Sequence, residues 1–212
     1  MKKWMLILLI VIGVIVVLAI IWTALYVREK FDGGMIMKKP AIYLYPEKDS
    51  FVSVKLDING KITKTIPKYD TGWNVFVTKQ SIIEDKYDYL FYEANLKKID
   101  LLKEGWVVKY EELENWFDIY LIKLGLNEKE KSQFKEYWLN ELPKANYYEI
   151  RLFDQSFLKD NINLIINPEP TTLIRLNFYF KPLNNNVHIE EPKIETPQRR
   201  GFTVVEWGGV LE

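Results

Sequence analysis

The order of hydrophobic patterns predicts an α+β fold: an antiparallel β-sheet or sandwich with an inserted helical hairpin, preceded by one N-terminal transmembrane helix. Three observations carry it. An unbroken apolar run spans Trp4 to Val27, interrupted only by Gly13 and Thr23; short alternating runs begin at Pro40; and between residues 113 and 142 the hydrophobic period lengthens to that of a helix.

The 24 residues from Trp4 to Val27 would cover about 36 Å as a helix, against a hydrocarbon core of roughly 30 Å. A cleaved signal has a shorter apolar core and small residues at its end, whereas Leu25-Tyr26-Val27-Arg28 offers no such site. Residues 1–28 therefore read as an uncleaved single-pass anchor, with Trp4 at one membrane interface and Trp22 and Tyr26 at the other. Lys2 and Lys3 on one side are balanced by Arg28, Lys30, Lys38 and Lys39 on the other, so charge does not orient the span. The very short N-terminal tail favours a cytoplasmic N-terminus and an extracytoplasmic domain. Residues 29–39, with Gly33-Gly34, read as a tether, and residues 40–212 as one globular domain.

Within that domain, Ile42 to Tyr45 opens the β pattern, and Val52, Val54, Leu56 and Ile58 then alternate with polar residues as a half-buried strand does. Asn59-Gly60 is a hairpin signal, with Ile62 to Ile66 as the returning strand. Trp73 to Thr78 and Tyr87 to Glu93 continue the series. Leu113, Trp116, Phe117, Tyr120, Leu121 and Leu124 share one helical face. Gly125 stands where a left-handed residue ends a helix, and Asn127 with Glu130 forms a capping box for a second helix that stops before Pro143. Strands resume at Tyr147 to Phe153, Asn163 to Ile166, Leu173 to Phe180 and Phe202 to Trp207, with an extended surface crossing over 181–200. Gly208-Gly209 reads as a chain-terminal turn.

Several spaced segments carry a resemblance: Lys39-Pro40-Ala41-Ile42-Tyr43-Leu44-Tyr45-Pro46, Val52-Ser53-Val54-Lys55-Leu56, Pro67-Lys68-Tyr69 with Gly72-Trp73, Leu124-Gly125-Leu126-Asn127-Glu128, Tyr137-Trp138, and Gly201-Phe202 through Val205-Glu206-Trp207-Gly208-Gly209. Together they resemble a family of uncharacterised microbial proteins that opens on KPxIYLYP and closes on VEWGG. The resemblance implies one domain over residues 39–209, often behind an export or anchor segment, and no catalytic residues.

Composition narrows the chemistry. The 29 basic residues include Lys2 and Lys3, so the rest of the chain carries 27 against 29 acidic, a net charge of −2. That gives no electrostatic basis for nucleic-acid binding. His188 is the lone histidine and there is no cysteine, so neither a zinc site nor a Ser-His-Asp triad has its ligands. The absence of cysteine suits a domain on either side of a membrane. No glycine-rich phosphate loop occurs, and no cofactor or metal is expected.

Carboxylates beside aromatics remain. Glu93 after Tyr92, and Glu206 before Trp207, are the weak catalytic candidates, able to act as an acid/base pair if about 5–10 Å apart. Tyr92, Trp73, Trp138 and Trp207 are candidate ligand-stacking residues, and Arg199-Arg200 is a candidate clamp for a carboxylate or phosphate or a partner for Glu190, Glu191 or Glu195. An inward Arg175 would require Glu93 or Glu206 as its buried partner. The leading expectation is a membrane-anchored binding or interaction module for a protein or envelope polymer. An anchored carboxylate-dependent hydrolase of envelope glycans and a self-associating structural envelope component are the alternatives.

Overall fold

The computed structural model describes residues 12–23 and 34–212, which fall into two units divided after Gly34. In the first unit, residues 12–23 form helix α1. Among the described residues no helix is long and apolar enough to cross a membrane, which corrects the expected N-terminal transmembrane helix and single-pass anchor. Of the expected interfacial aromatics, Trp22 lies on α1 and is 71% exposed; Trp4 and Tyr26 lie outside the described residues.

The second unit opens with β1 (Met35–Tyr45), five residues before Pro40, so residues 35–39 belong to a strand and not to a tether. It continues through β2 (Ser50–Ile58), β3 (Gly60–Ile66), β4 (Trp73–Val77), β5 (Leu90–Leu96) and β6 (Trp106–Lys109) to the hairpin of α2 (Leu113–Lys123) and α3 (Glu128–Glu141). Then come β7 (Tyr147–Leu152), α4 (Gln155–Asn161), β8 (Ile162–Asn167), β9 (Thr172–Leu183) and β10 (Thr203–Leu211).

These elements stack in three layers. A seven-stranded sheet, ordered β3-β5-β1-β10-β9-β7-β6, lies between a three-stranded sheet, β4-β2-β8, and the helical hairpin. Its central strands are buried on both faces, so alternate residues serve different cores: Ile42 and Leu44 meet the small sheet, while Ala41 and Tyr43 meet the helices. The hairpin follows its sequence signals. Leu126 N–H reaches Leu121 O at 2.9 Å and Gly125 N–H reaches Ile122 O at 3.0 Å, a Schellman ending with Gly125 at φ 103°. The Asn127 side chain caps Glu130 N–H and the Glu130 carboxylate returns to Asn127 N–H, both at 2.9 Å.

Three expectations about strands are corrected. The large sheet is mixed, because β9 and β10 run parallel; parallel neighbours need a crossover, here an irregular strap over residues 184–202. Asn59-Gly60 is no hairpin turn. β2 has β4 and β8 on its two edges, so β3 leaves for the other sheet and pairs with β5. Gly208-Gly209 lies inside β10, between β1 and β9.

Those two glycines mark close approaches. A Cβ on Gly208 would meet Pro40 Cα at 2.9 Å, and one on Gly209 would meet Phe178 O at 2.7 Å and Trp138 Cζ2 at 2.8 Å. Backbone and a fully buried indole cannot retreat as a surface side chain can. Gly209→Ala is therefore expected to destabilise the fold by about 1–3 kcal/mol, the range for overpacking a tight interior, read as a lowered urea midpoint with unchanged slope. An unchanged midpoint would show that the contact relaxes freely.

Candidate functional site

Seven strands about 4.8 Å apart make a sheet wider than two helices packed about 10 Å apart can cover. The hairpin core draws on β1, β10, β9, β7 and β6, and takes nothing from β3 or β5. The β3–β5 end of this face is left bare, and α3 forms a wall beside it. The resulting cleft encloses about 340 Å³ and is lined by Lys39, Lys64, Ile66, Phe91, Glu93, Gln133 and Tyr137, with Lys86 to Tyr89 as its lip. That volume is at the lower end for a small-molecule site.

Lys39 enters the cleft through a β-bulge. Lys38 stands opposite Gly209 and Ala41 opposite Trp207, so three steps on β1 answer two on β10. The extra residue leaves the ladder with Lys39 at φ 56°, a conformation that costs a non-glycine residue roughly 1–2 kcal/mol. Its ammonium donates to Tyr89 Oη at 2.7 Å and lies 4.9, 5.2 and 5.5 Å from the ring centroids of Tyr89, Phe91 and Tyr137. Three further non-glycine residues with positive φ, Ser81, Glu84 and Asp85, occupy the loop leading into the lip. Strain of this kind gathers at ligand sites.

The remaining charges are unevenly matched. Asp88 is tied to α3, accepting from Lys129 Nζ at 2.6 Å and Gln133 Nε2 at 3.1 Å, and these contacts hold its carboxyl below the usual range, with Lys129 the main cause. Gln133 is itself fixed by Tyr43 Oη at 2.7 Å. Lys64 stands opposite Glu93 in the ladder, yet its ammonium lies 5.3 Å from the Phe91 centroid; Lys86 lies over Tyr87 at 5.0 Å. Among the described residues, Lys39, Lys64, Lys86 and Glu93 form no ion pair, leaving the cleft with three cations against one unpaired carboxylate. Burial, and then the nearby Glu141 and Glu93, push the Tyr137 phenol up to about 12.

The structure separates the two candidate glutamates. Strand alternation sends Tyr92 to the small-sheet face and Glu93 to the helical face, where it lines the cleft. Glu206 is fully buried on the opposite face. Its Oε1 accepts from Tyr92 Oη at 2.8 Å; its Oε2 accepts from Arg175 Nε at 2.7 Å and Asn177 Nδ2 at 3.1 Å. No acid/base pair forms between them, and of the two expected partners for Arg175 it is Glu206 that meets it.

Other candidates fall into the frame. Trp73, Trp138 and Trp207 are core residues, with Trp73 Nε1 donating to Pro67 O at 2.9 Å. Arg199 bonds Glu130, which is fully buried, and Gly125 O at 2.7 Å; it thus ties the strap to the helical hairpin instead of pairing with Glu190, Glu191 or Glu195. Arg200 is exposed and contributes backbone contacts to Thr172. Lys39 was missed because a residue before proline normally stays extended, and no local pattern announces a left-handed one.

Comparison with known proteins adds a partial relative. The chain is 44% identical over 63 residues to a protein of Butyrivibrio fibrisolvens described as "Uncharacterized protein in bglA 3'region". That match covers 27% of this chain and 66% of the relative, less than two thirds of its length. No family model matches the chain, and no solved structure does.

Two stability outcomes follow from the buried groups. Arg175→Met strands the Glu206 carboxylate and is expected to cost about 3–5 kcal/mol, part of which Arg175→Met combined with Glu206→Leu recovers; equal midpoints for the parent and the single variant in urea would refute this. The phenols of Tyr43, Tyr45 and Tyr92 are raised above the ordinary value of 10.0, chiefly by burial, and those of Tyr137 and Tyr148 are raised to about 12. A phenol that holds its proton more tightly when folded stabilises the fold fully below the unfolded pKa and loses that contribution as pH rises through the folded one. The urea midpoint should therefore fall between pH 10 and 12 after a plateau at neutral pH, and a flat profile to pH 12 would contradict it.

Proposed function

We propose that residues 35–212 form a binding module, and that its site is the cleft beside the β1 bulge, where it receives a small anionic ligand. The observation that carries the reading is Lys39. Its backbone is held in the left-handed region of φ and its ammonium among Tyr89, Phe91 and Tyr137, with Lys64 and Lys86 on the same cleft also free of ion pairs among the described residues. An anion entering there gains three cations without displacing a salt bridge, and the ring faces exclude water from the contact.

A binding role also suits the state of the carboxylates. Glu206 is engaged inside the core and Asp88 by Lys129, which leaves Glu93 without a second unengaged carboxylate on the cleft among the described residues. Hydrolysis of a glycosidic bond by the usual route needs two such groups.

The test uses a substitution that should be harmless to the frame. Lys39→Gly removes the ammonium but relaxes the strained φ, so the losses from the ring contacts, about 0.5–1 kcal/mol, are offset and the melting temperature is expected to stay near that of the parent. Small carboxylates and phosphates at millimolar concentration should raise the melting temperature of the full-length parent, by mass action, and leave Lys39→Gly unmoved. Equal shifts in both proteins, or none in the parent across the panel, would overturn the assignment.

A further inference from the structure

The cleft is not uniformly basic. Glu93 lies on its floor beside Lys64 and among the residues around Lys39, without an ion pair among the described residues. A bare anion such as inorganic phosphate would be drawn by the lysines and repelled by that carboxylate. A ligand that fits must offer negative charge to Lys39, Lys64 and Lys86 and, on the same small body, a hydrogen-bond donor to Glu93.

The donor is either cationic, as an ammonium is, or neutral, as a hydroxyl or an amide N–H is. The ammonium is disfavoured, because the aromatic faces that would receive a cation already hold Lys39, at 4.9 to 5.5 Å from three rings, and a second cation there would meet like charge. A hydroxyl carries no such penalty. The wall on the α3 side adds fixed polar groups: Gln133 is locked between Tyr43 and Asp88, and Tyr137 remains a neutral phenol beside Glu93. The ring faces of Tyr137, Tyr89 and Phe91 supply the flat apolar surface on which the non-polar side of a saturated ring can rest.

Resting on the binding-module reading, we infer that the cleft recognises an acidic saccharide unit: a hydroxylated ring bearing a carboxylate, its anion on the lysines and its hydroxyls on Glu93 and Gln133. The volume of about 340 Å³ admits one such residue of a longer chain, and the cleft is partly open to solvent, which leaves room for the chain to continue.

Calorimetric titration of the full-length protein with D-glucuronate, D-glucose and inorganic phosphate tests the class. Glucuronate is expected to bind at least tenfold more tightly than either of the others, and Lys39→Gly to abolish its binding. Glu93→Gln gives opposite signs: a severalfold loss for glucuronate, which loses a charged acceptor, and a gain for phosphate, which loses a repulsion. Phosphate binding as tightly as glucuronate through Lys39, with Glu93→Gln strengthening both, would leave the binding module standing and overturn the saccharide. Glucose binding as well as glucuronate in the parent and in Lys39→Gly would overturn both readings, as would no heat from any of the three.

Discussion

β10 is the strand on which the rest of the structure depends. It is buried on both faces and paired on both edges, antiparallel with β1 and parallel with β9, so no residue from Thr203 to Val210 can leave its place without disturbing a core. Gly208 and Gly209 let Pro40 and Trp138 come against it, and in exchange β1 carries one residue more than the ladder accepts. The bulge inverts the phase of β1: Met37 and Ile42, five positions apart, both face the small sheet. The displaced Lys39 therefore reaches the cleft as a consequence of packing at the centre of the sheet. The two ends of the domain, near residue 39 and near residue 209, are joined by this single steric arrangement.

The second constraint is polar. Tyr92 of β5, Glu206 of β10, and Arg175 and Asn177 of β9 meet inside the otherwise apolar layer between the sheets. Against burial, which works to expel the proton, the Glu206 carboxylate holds the Arg175 guanidinium charged. Among the described residues Arg175 Nη2 and Asn177 Oδ1 meet no hydrogen-bond partner, so there the cluster is not fully satisfied in hydrogen bonds. A buried ion pair of this sort is weak evidence for stability and stronger evidence for register. A slip of one residue in β5 or β9 would turn Tyr92 or Arg175 toward the helices and strand Glu206. Apolar residues alone on both faces would penalise that slip much less, since either phase would bury them.

What the sequence disclosed divides along the same line between local and non-local physics. The turn of the helical hairpin was legible to the residue, because Gly125, Asn127 and Glu130 act on groups within one turn of themselves. Strand positions were largely legible from alternation, though β6, four residues long, and α4, seven residues long, were too short to show a period. Pairing was not legible. Asn59-Gly60 carries every sign of a tight turn, yet the free edges lie elsewhere, and Asn59 N–H instead donates to Asn161 O at 2.8 Å. Glu93 and Glu206 looked equivalent as strand-end acids; which face each meets depends on strands far off in sequence. For the apolar N-terminal run, composition alone favoured a span, whereas among the described residues no helix is long and apolar enough to cross a membrane.

The cleft has a competing explanation that the strands themselves can judge. Edge strands commonly carry lysines to discourage pairing with another sheet, and β3 is an edge strand bearing Lys61 and Lys64. Edge protection accounts for those two. It does not account for Lys39, which sits on β1 between β5 and β10 and has no edge to guard, nor for a backbone conformation that a lysine adopts at a cost when glycine would adopt it freely. Neither does it explain why Glu93, the acid directly opposite Lys64, forms no salt bridge with it while the ammonium turns to Phe91. Strain at Lys39 and an unpaired acid facing unpaired cations are both costs in the free protein. A ligand that offers charge and hydroxyl together would recover both at once.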